Sequence, residues 1–179
     1  MDYDITISGG GIAGLTAAAA FASAGFRTLC LDPTPPVTER DSDGADLRTT
    51  AFLQPAQAFL DEIGLWPRLA GHAMPLQVMR IVDAGGPVAE PRVTKDFVST
   101  DISDKPFGWN LPNWLLRREM VARLEELPNV EFRPGTGTST LLTREREALV
   151  GLSDGTRLRS RLVIAADGRN SPMREAAGI

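Results

Sequence analysis

Residues 9–14, Gly-Gly-Gly-Ile-Ala-Gly, space their glycines as G-x-G-x-x-G at Gly9, Gly11 and Gly14. The chemistry open to such a stretch belongs to its backbone. A first glycine permits a tight turn, a second lets the chain approach a pyrophosphate, and a third lets the following helix pack close to a strand. A helix that opens there adds free N–H groups and partial positive charge, both suited to phosphate. Alone the spacing is weak. It gains meaning when a strand precedes it, a helix follows it and an acid stands roughly 20 residues further on. Asp32 holds that last position. A carboxylate there accepts hydrogen bonds from ribose hydroxyls and repels a 2′-phosphate, which favours FAD or NAD over NADP. No Lys-Ser/Thr follows the glycines, so a nucleotide triphosphatase is excluded.

The elements that must position this loop are legible on either side of it. Asp4 to Ser8 alternates and β-branches as a strand does. Ile12 to Ala24 reads as an alanine-rich helix stopped by Gly25, and Arg27 to Leu31 as a second strand ended by Asp32-Pro33. The result is a β-α-β unit. A proline- and acid-rich surface loop leads to Asp46 and Arg48. Its DSDGAD run lacks the acid spacing of a calcium loop. Downstream, Phe52, Phe59, Leu60 and Ile63 are expected on one helical face with Gly64 as the stop. Residues 76–83 are expected as a strand, with a glycine turn into 88–93, and 95–106 as irregular chain. Leu116, Met120, Leu124 and Leu127 mark a helix ended by Pro128. Residues 130–134 are expected as a strand, 138–144 and 147–153 as a hairpin, and Asp154-Gly155 turns the chain into residues 156–160 before a final strand at 161–166.

Composition removes several classes. The 179 residues are 42% hydrophobic and 23% charged with net charge −4, which suits one soluble globular domain and not a nucleic-acid binder. The single cysteine, Cys30, excludes an internal disulfide and is expected in the core. Residues 5–26 are uncharged and long enough to span a bilayer, but they are mostly small, change period at the glycines and follow an acidic flank. No signal peptide or membrane span is expected. His72 is the only histidine and no His/Cys cluster accompanies it, so no metal site is expected. Trp66, Trp109 and Trp114 are expected as packing residues, and Arg118 and Arg123 as a solvated helix face.

The chain leaves the second strand for a loop and helix and returns late, with an antiparallel hairpin before its last strand. That interrupted layout resembles the FAD domain of the glutathione-reductase type, a Rossmann-like α/β fold with an antiparallel β insertion. Three stretches carry a closer likeness: residues 4–32, residues 46–66 with Arg48 and the Leu-Gly-x-Trp-like ending, and residues 162–174 with Asp167, Gly168, Ser171 and Arg174. They resemble the N-terminal half of group A FAD-dependent aromatic monooxygenases, related to para-hydroxybenzoate hydroxylase. Within that group the likeness is greatest to the ubiquinone-biosynthesis hydroxylases; residues 65–107 are not diagnostic.

The resemblance implies site residues. Gly9, Gly11, Ile12, Ala13 and Gly14 would cradle the FAD pyrophosphate, and Asp32 would hold the adenosine ribose. Arg48 would lie along the flavin or its phosphates. Asn113, where the family often has Glu-Asn-Arg, would reach FAD, although Pro112 and Trp114 depart from the family's usual neighbours, and Arg117 would reach it from the start of the following helix. Asp167 and Gly168 would face FAD and the passing NAD(P)H, with Ser171 and Arg174 holding their loop. No catalytic side chain is assigned, because the cofactor performs the oxygen chemistry. Residues 1–75 and 107–179 would form the cofactor domain, and 76–106 strands of an incomplete substrate domain. The implied substrate is a small phenolic ring, polyprenylated in quinone biosynthesis, with cytoplasmic location and peripheral contact to the inner membrane. No Gly-Asp-Ala-x-His segment of the kind this group carries is present, so the 179-residue chain alone is expected not to hydroxylate. The alternatives are the FAD domain of a halogenase or prenyl reductase, or a nucleotide-binding module without catalysis.

Overall fold

The computed structural model describes residues 1–88 and 90–179. In chain order the elements are β1 (Tyr3–Ser8), α1 (Ile12–Ser23), β2 (Thr28–Asp32), β3 (Thr49–Leu53), α2 (Gln54–Glu62), α3 (Trp66–Leu69), β4 (Met74–Leu76), β5 (Val78–Asp83), β6 (Val93–Val98), β7 (Gly108–Pro112), α4 (Asn113–Glu125), β8 (Val130–Pro134), β9 (Thr138–Thr143), β10 (Ala148–Leu152), β11 (Arg157–Ala165) and α5 (Pro172–Ala176). The main sheet runs β8-β2-β1-β11-β10-β9. Its first four strands are mutually parallel and the last two are antiparallel.

The two central parallel strands, β1 and β2, are largely buried because both of their faces are covered. Strand alternation sends Cys30 to one face and its neighbours Leu29 and Leu31 to the other. Cys30 joins Ile5, Ile7, Leu15, Leu116 and Met120 in the larger core, where α1 and α4 pack against the sheet. Leu29 and Leu31 join Ala148, Val150, Leu152 and Leu158 in a second core. Small residues on α1 (Ala18, Ala19 and Ala22, all buried) let that helix lie close to its neighbours.

Four expectations change. Phe52 sits on β3, not on a helix; only after Leu53 does the chain turn helical. Thr49, Thr50 and Phe52 favour an extended chain, and β7 pairs with that strand across five residues. Residues 95–98 are not irregular but complete β6, which pairs with β5 in a two-stranded ribbon from Val78↔Val98 to Asp83↔Val93. Residues 76–83 are not one strand: β4 joins β7, β5 joins β6, and Gln77 separates them. Ala89, inside the expected turn into 88–93, lies outside the described residues. Finally, residues 157–165 form one long strand, the two expected segments being continuous. Among the described residues no helix is long and apolar enough to cross a membrane.

Cys30 is fully buried, with Sγ 3.6 Å from the carbonyl oxygen of Gly9. Burial, with a smaller contribution from the nearby Asp32 carboxylate, pushes the thiol pKa up to about 12. Thiolate is the reactive form. A thiol reagent at pH 8 should therefore leave the native protein unlabelled and modify its single cysteine only in denaturant, as read by mass spectrometry.

Candidate functional site

Because β1, β2 and β11 are parallel, their carboxyl ends share one edge of the sheet, where ligands of open α/β sheets bind. Ser8, Asp32 and Ala165 are the last residues of these strands. The glycine loop turns at this edge. Gly9 has φ 111°, a backbone conformation that disfavours a side chain, and its N–H donates to the Leu31 carbonyl at 2.7 Å. A Cβ on Gly9 would land on the carbonyl of Ala166, and a Cβ on Gly14 would land on the carbonyl of Gly9. A Cβ on Gly11, whose φ is −73°, would meet nothing within 4 Å. Two glycines thus close the turn and the third borders open space. Gly11 caps α1 without a side-chain hydrogen bond, leaving the N–H groups of Ile12, Ala13 and Gly14 beyond intrahelical reach.

Asp32 locks the loop. Its Oδ2 accepts from the Gly10 N–H at 2.6 Å, and its Oδ1 from the Thr34 N–H at 2.8 Å. Each oxygen retains a further lone pair for a ribose hydroxyl. The turn after β11 abuts the same place. The Ala166 N–H donates to the Ser8 carbonyl at 2.7 Å. Asp167 Oδ2 accepts from the Met173 N–H at 3.1 Å and from Ser8 Oγ at 3.5 Å, while its Oδ1 is buried with no partner among the described residues. Gly168 follows at φ 89°. The cap of α5 is Ser171, whose Oγ accepts from the Arg174 N–H at 3.0 Å. Asp167 therefore ties the turn to that helix by accepting one of its first-turn N–H groups, although Ser171 is the residue at the cap position.

Arg48, Asn113 and Arg117 form a second group around a residue that sequence reasoning passed over. Asp46 takes a two-pronged contact from Arg48, Nε to Oδ1 and Nη2 to Oδ2, both at 2.8 Å. Asn113 Nδ2 donates to Oδ2 at 3.0 Å, and Arg117 Nη2 stands 3.7 Å from it. Asn113 Oδ1 in turn accepts from Thr50 Oγ1 at 2.6 Å. Hydrogen bonds from Arg48 and then Asn113 hold the Asp46 carboxyl well below the usual carboxylate range. Arg117 is the fifth residue of α4, not its first. Arg123 is not part of a solvated face: its Nε donates to the Ile63 carbonyl at 3.2 Å, beside Gly64. Arg118 lies 5.2 Å from the Trp114 ring centroid. His72 is exposed, and no group of metal-binding residues occurs among the described residues.

The family described as FAD binding domain matches residues 2–179. The chain belongs to this family. Among curated proteins, the FAD-binding domain is 36% identical over 177 residues to the ubiquinone hydroxylase UbiL of Rhodospirillum rubrum, spanning 98% of this chain and 39% of that protein. It is 27% identical over 176 residues to the 3-demethoxyubiquinol 3-hydroxylase of Escherichia coli, spanning 98% and 44%. Among solved structures it superposes on p-nitrophenol 4-monooxygenase PnpA from Pseudomonas putida with TM-score 0.75 at 25% identity, covering 98% of this chain and 43% of that one. The chain spans about two fifths of the length of the curated relatives it matches.

The structure sorts the residues expected at the site into two groups. Gly9, Gly11, Ile12, Ala13, Gly14, Asp32, Asp167 and Gly168 meet at one sheet edge; Arg48, Asn113 and Arg117 meet at Asp46. The missed signal for Asp46 was its place two residues before Arg48, in a run of surface acids that hid it. Ser8 was also missed; its hydroxyl joins Thr138 Oγ1 at 2.6 Å as well as Asp167.

Two outcomes follow for stability. Gly14→Ala should destabilise by about 3 kcal/mol or more, since the added carbon overlaps backbone, whereas Gly11→Ala should stay within about 1 kcal/mol of wild type in urea unfolding. Asp46 is deprotonated in the fold at pH values where the unfolded chain, with a carboxyl near pKa 3.9, takes up a proton. Its contribution is complete above that value and is lost as pH falls towards the folded one. Urea midpoints of the wild type should drop between about pH 4 and pH 2 more steeply than those of Asp46→Asn.

Proposed function

We propose that this chain is the FAD-handling N-terminal part of a monooxygenase that hydroxylates a phenolic ring in ubiquinone biosynthesis, using NAD(P)H and O₂. The observation that carries this reading is the juxtaposition of the glycine loop, Asp32 and the Asp167-Gly168 turn at one sheet edge, in a chain 36% identical to a ubiquinone hydroxylase. The residues present fit FAD. Open space lies beside Gly11, α1 offers free N–H groups, and the buried Asp167 Oδ1 lacks a donor among the described residues.

In this reading Gly9 and Gly14 shape the loop, Gly11 admits the pyrophosphate, and the N–H groups of Ile12, Ala13 and Gly14 receive its charge. Asp32, already oriented by two backbone donors, accepts the adenosine ribose hydroxyls. Arg48, with Asn113 and Arg117 behind it, meets the anionic part of the cofactor. Asp167 and Gly168 border the path of NAD(P)H. FAD supplies the oxygen chemistry when bound, and this chain binds it and orients it. Residues 1–75 and 107–179 serve the cofactor, and 76–106 open towards the substrate. The ribbon of β5 and β6 supports that division: Met79, Ile81, Val93 and Phe97 are exposed and share one face of it with Lys95 and Asp83. A largely apolar face of this kind suits an aromatic, prenylated substrate region and peripheral contact with the inner membrane from the cytoplasm. Hydroxylation itself requires protein beyond these residues.

Titration of the purified chain with FAD should quench flavin fluorescence saturably. Gly11→Ala should weaken that binding at least tenfold while unfolding like the wild type, because its Cβ enters the space assigned to the pyrophosphate. Unchanged FAD affinity in Gly11→Ala would refute this placement of the cofactor.

A further inference from the structure

Asp46 is built more firmly than a surface acid on a polar loop requires. Its side chain is 11% exposed, although that of Arg48 is 83% exposed. The Arg48 fork uses Nε and Nη2, which leaves Nη1 without a hydrogen-bond partner among the described residues. The backbone around Asp46 is bolted down as well. The Asp46 carbonyl accepts from the Trp114 N–H at 3.2 Å, and the Arg48 carbonyl from the Asn113 N–H at 2.9 Å. Asn113 and Trp114 are the first two residues of α4. That helix packs on α1, with Thr16 Oγ1 3.8 Å from Met120 Sδ, and α1 begins at the glycine loop. One frame therefore carries both the loop and the Arg48 turn.

We infer that Asp46 is a positioning residue: by gripping one edge of the Arg48 guanidinium against the frame of α4, it presents the opposite edge to the anionic part of a bound dinucleotide. This rests on the proposal above that the chain binds FAD. A free arginine on a polar loop loses rotamer freedom when it meets an anion. The fork removes that freedom beforehand, since the planar guanidinium can satisfy a carboxylate on one side and phosphate oxygens on the other. With Arg117 also beside it, the group keeps a net positive charge, so Asp46 orients the cations without cancelling them.

The test is a double-mutant cycle on FAD affinity with the full chain. Asp46→Asn and Arg48→Ala should each raise the FAD Kd about tenfold. Asp46→Asn placed in the Arg48→Ala background should add less than twofold, because its effect passes through Arg48. A loop staple alone would instead lower the Tm in both backgrounds and add its full penalty to the double variant. If Asp46→Asn does not fold, Asp46→Glu keeps the charge while moving the carboxylate by one methylene, and should still weaken FAD several-fold at near-native Tm. Wild-type affinity in Asp46→Asn or, where only that variant folds, in Asp46→Glu, or full additivity with Arg48→Ala, overturns the inference alone. Absence of FAD binding in the wild type overturns the cofactor reading and this inference with it.

Discussion

The fold depends on one close approach of backbone to backbone. The chain leaves β1 at Gly9, reverses, and enters α1 so tightly that Gly14 lies against the carbonyl of Gly9, while Gly9 lies against the carbonyl of Ala166. Strand, helix and the turn after β11 thus meet where no side chain fits. This contact sets the distance of α1 from the sheet, and that distance is why the buried face of α1 is alanine-rich. It also sets the site. A helix N-terminus held at the carboxyl ends of three parallel strands leaves its free N–H groups facing the space beside Gly11.

Asp32 and Asp167 work within that constraint in different ways. Asp32 spends one interaction from each oxygen on backbone N–H groups, so its orientation is fixed before any ligand arrives. Asp167 is fixed through one oxygen only, by Ser8 and Met173, and its other oxygen is buried without a donor among the described residues. A buried acceptor without a donor is costly, and such costs concentrate at sites that a ligand completes. Away from the loop, α4 is the structural bridge. It buries Leu116, Met120 and Leu124 in the main core, and its first turn ties down the segment that carries Asp46 and Arg48.

The β-α-β unit was readable because its signals are local: alternation in β1, the glycine spacing, an alanine-rich helix and an acid at the end of β2. The same holds for α4, whose leucine and methionine positions repeat at helical steps. The errors lie where local preference and pairing compete. Phe52 fits the helical face of its downstream neighbours, yet it is extended because β7 supplies hydrogen-bond partners from more than 50 residues away. Residues 95–98 carry two charges in four positions and look irregular, yet they are a strand because β5 supplies the backbone pairing, which sets Arg80 opposite Asp96 at 2.7 Å.

The sequence by itself determined the glycine loop, the acid at the end of β2 and the Asp-Gly turn, because each depends on residue types at short spacing and on backbone conformations that favour glycine. It also determined that Cys30 is core and that residues 5–26 change from strand to helix at the glycines, since burial of small side chains follows from composition and period. Only the tertiary structure decided that the Asp-Gly turn touches the glycine loop, since that contact joins residues more than 150 apart. Only it decided, too, that Asp46 gathers Arg48, Asn113 and Arg117. A carboxylate in an acidic loop looks like any other until the fold brings a helix to it, because the partners that distinguish it are distant in the chain and short-ranged in space.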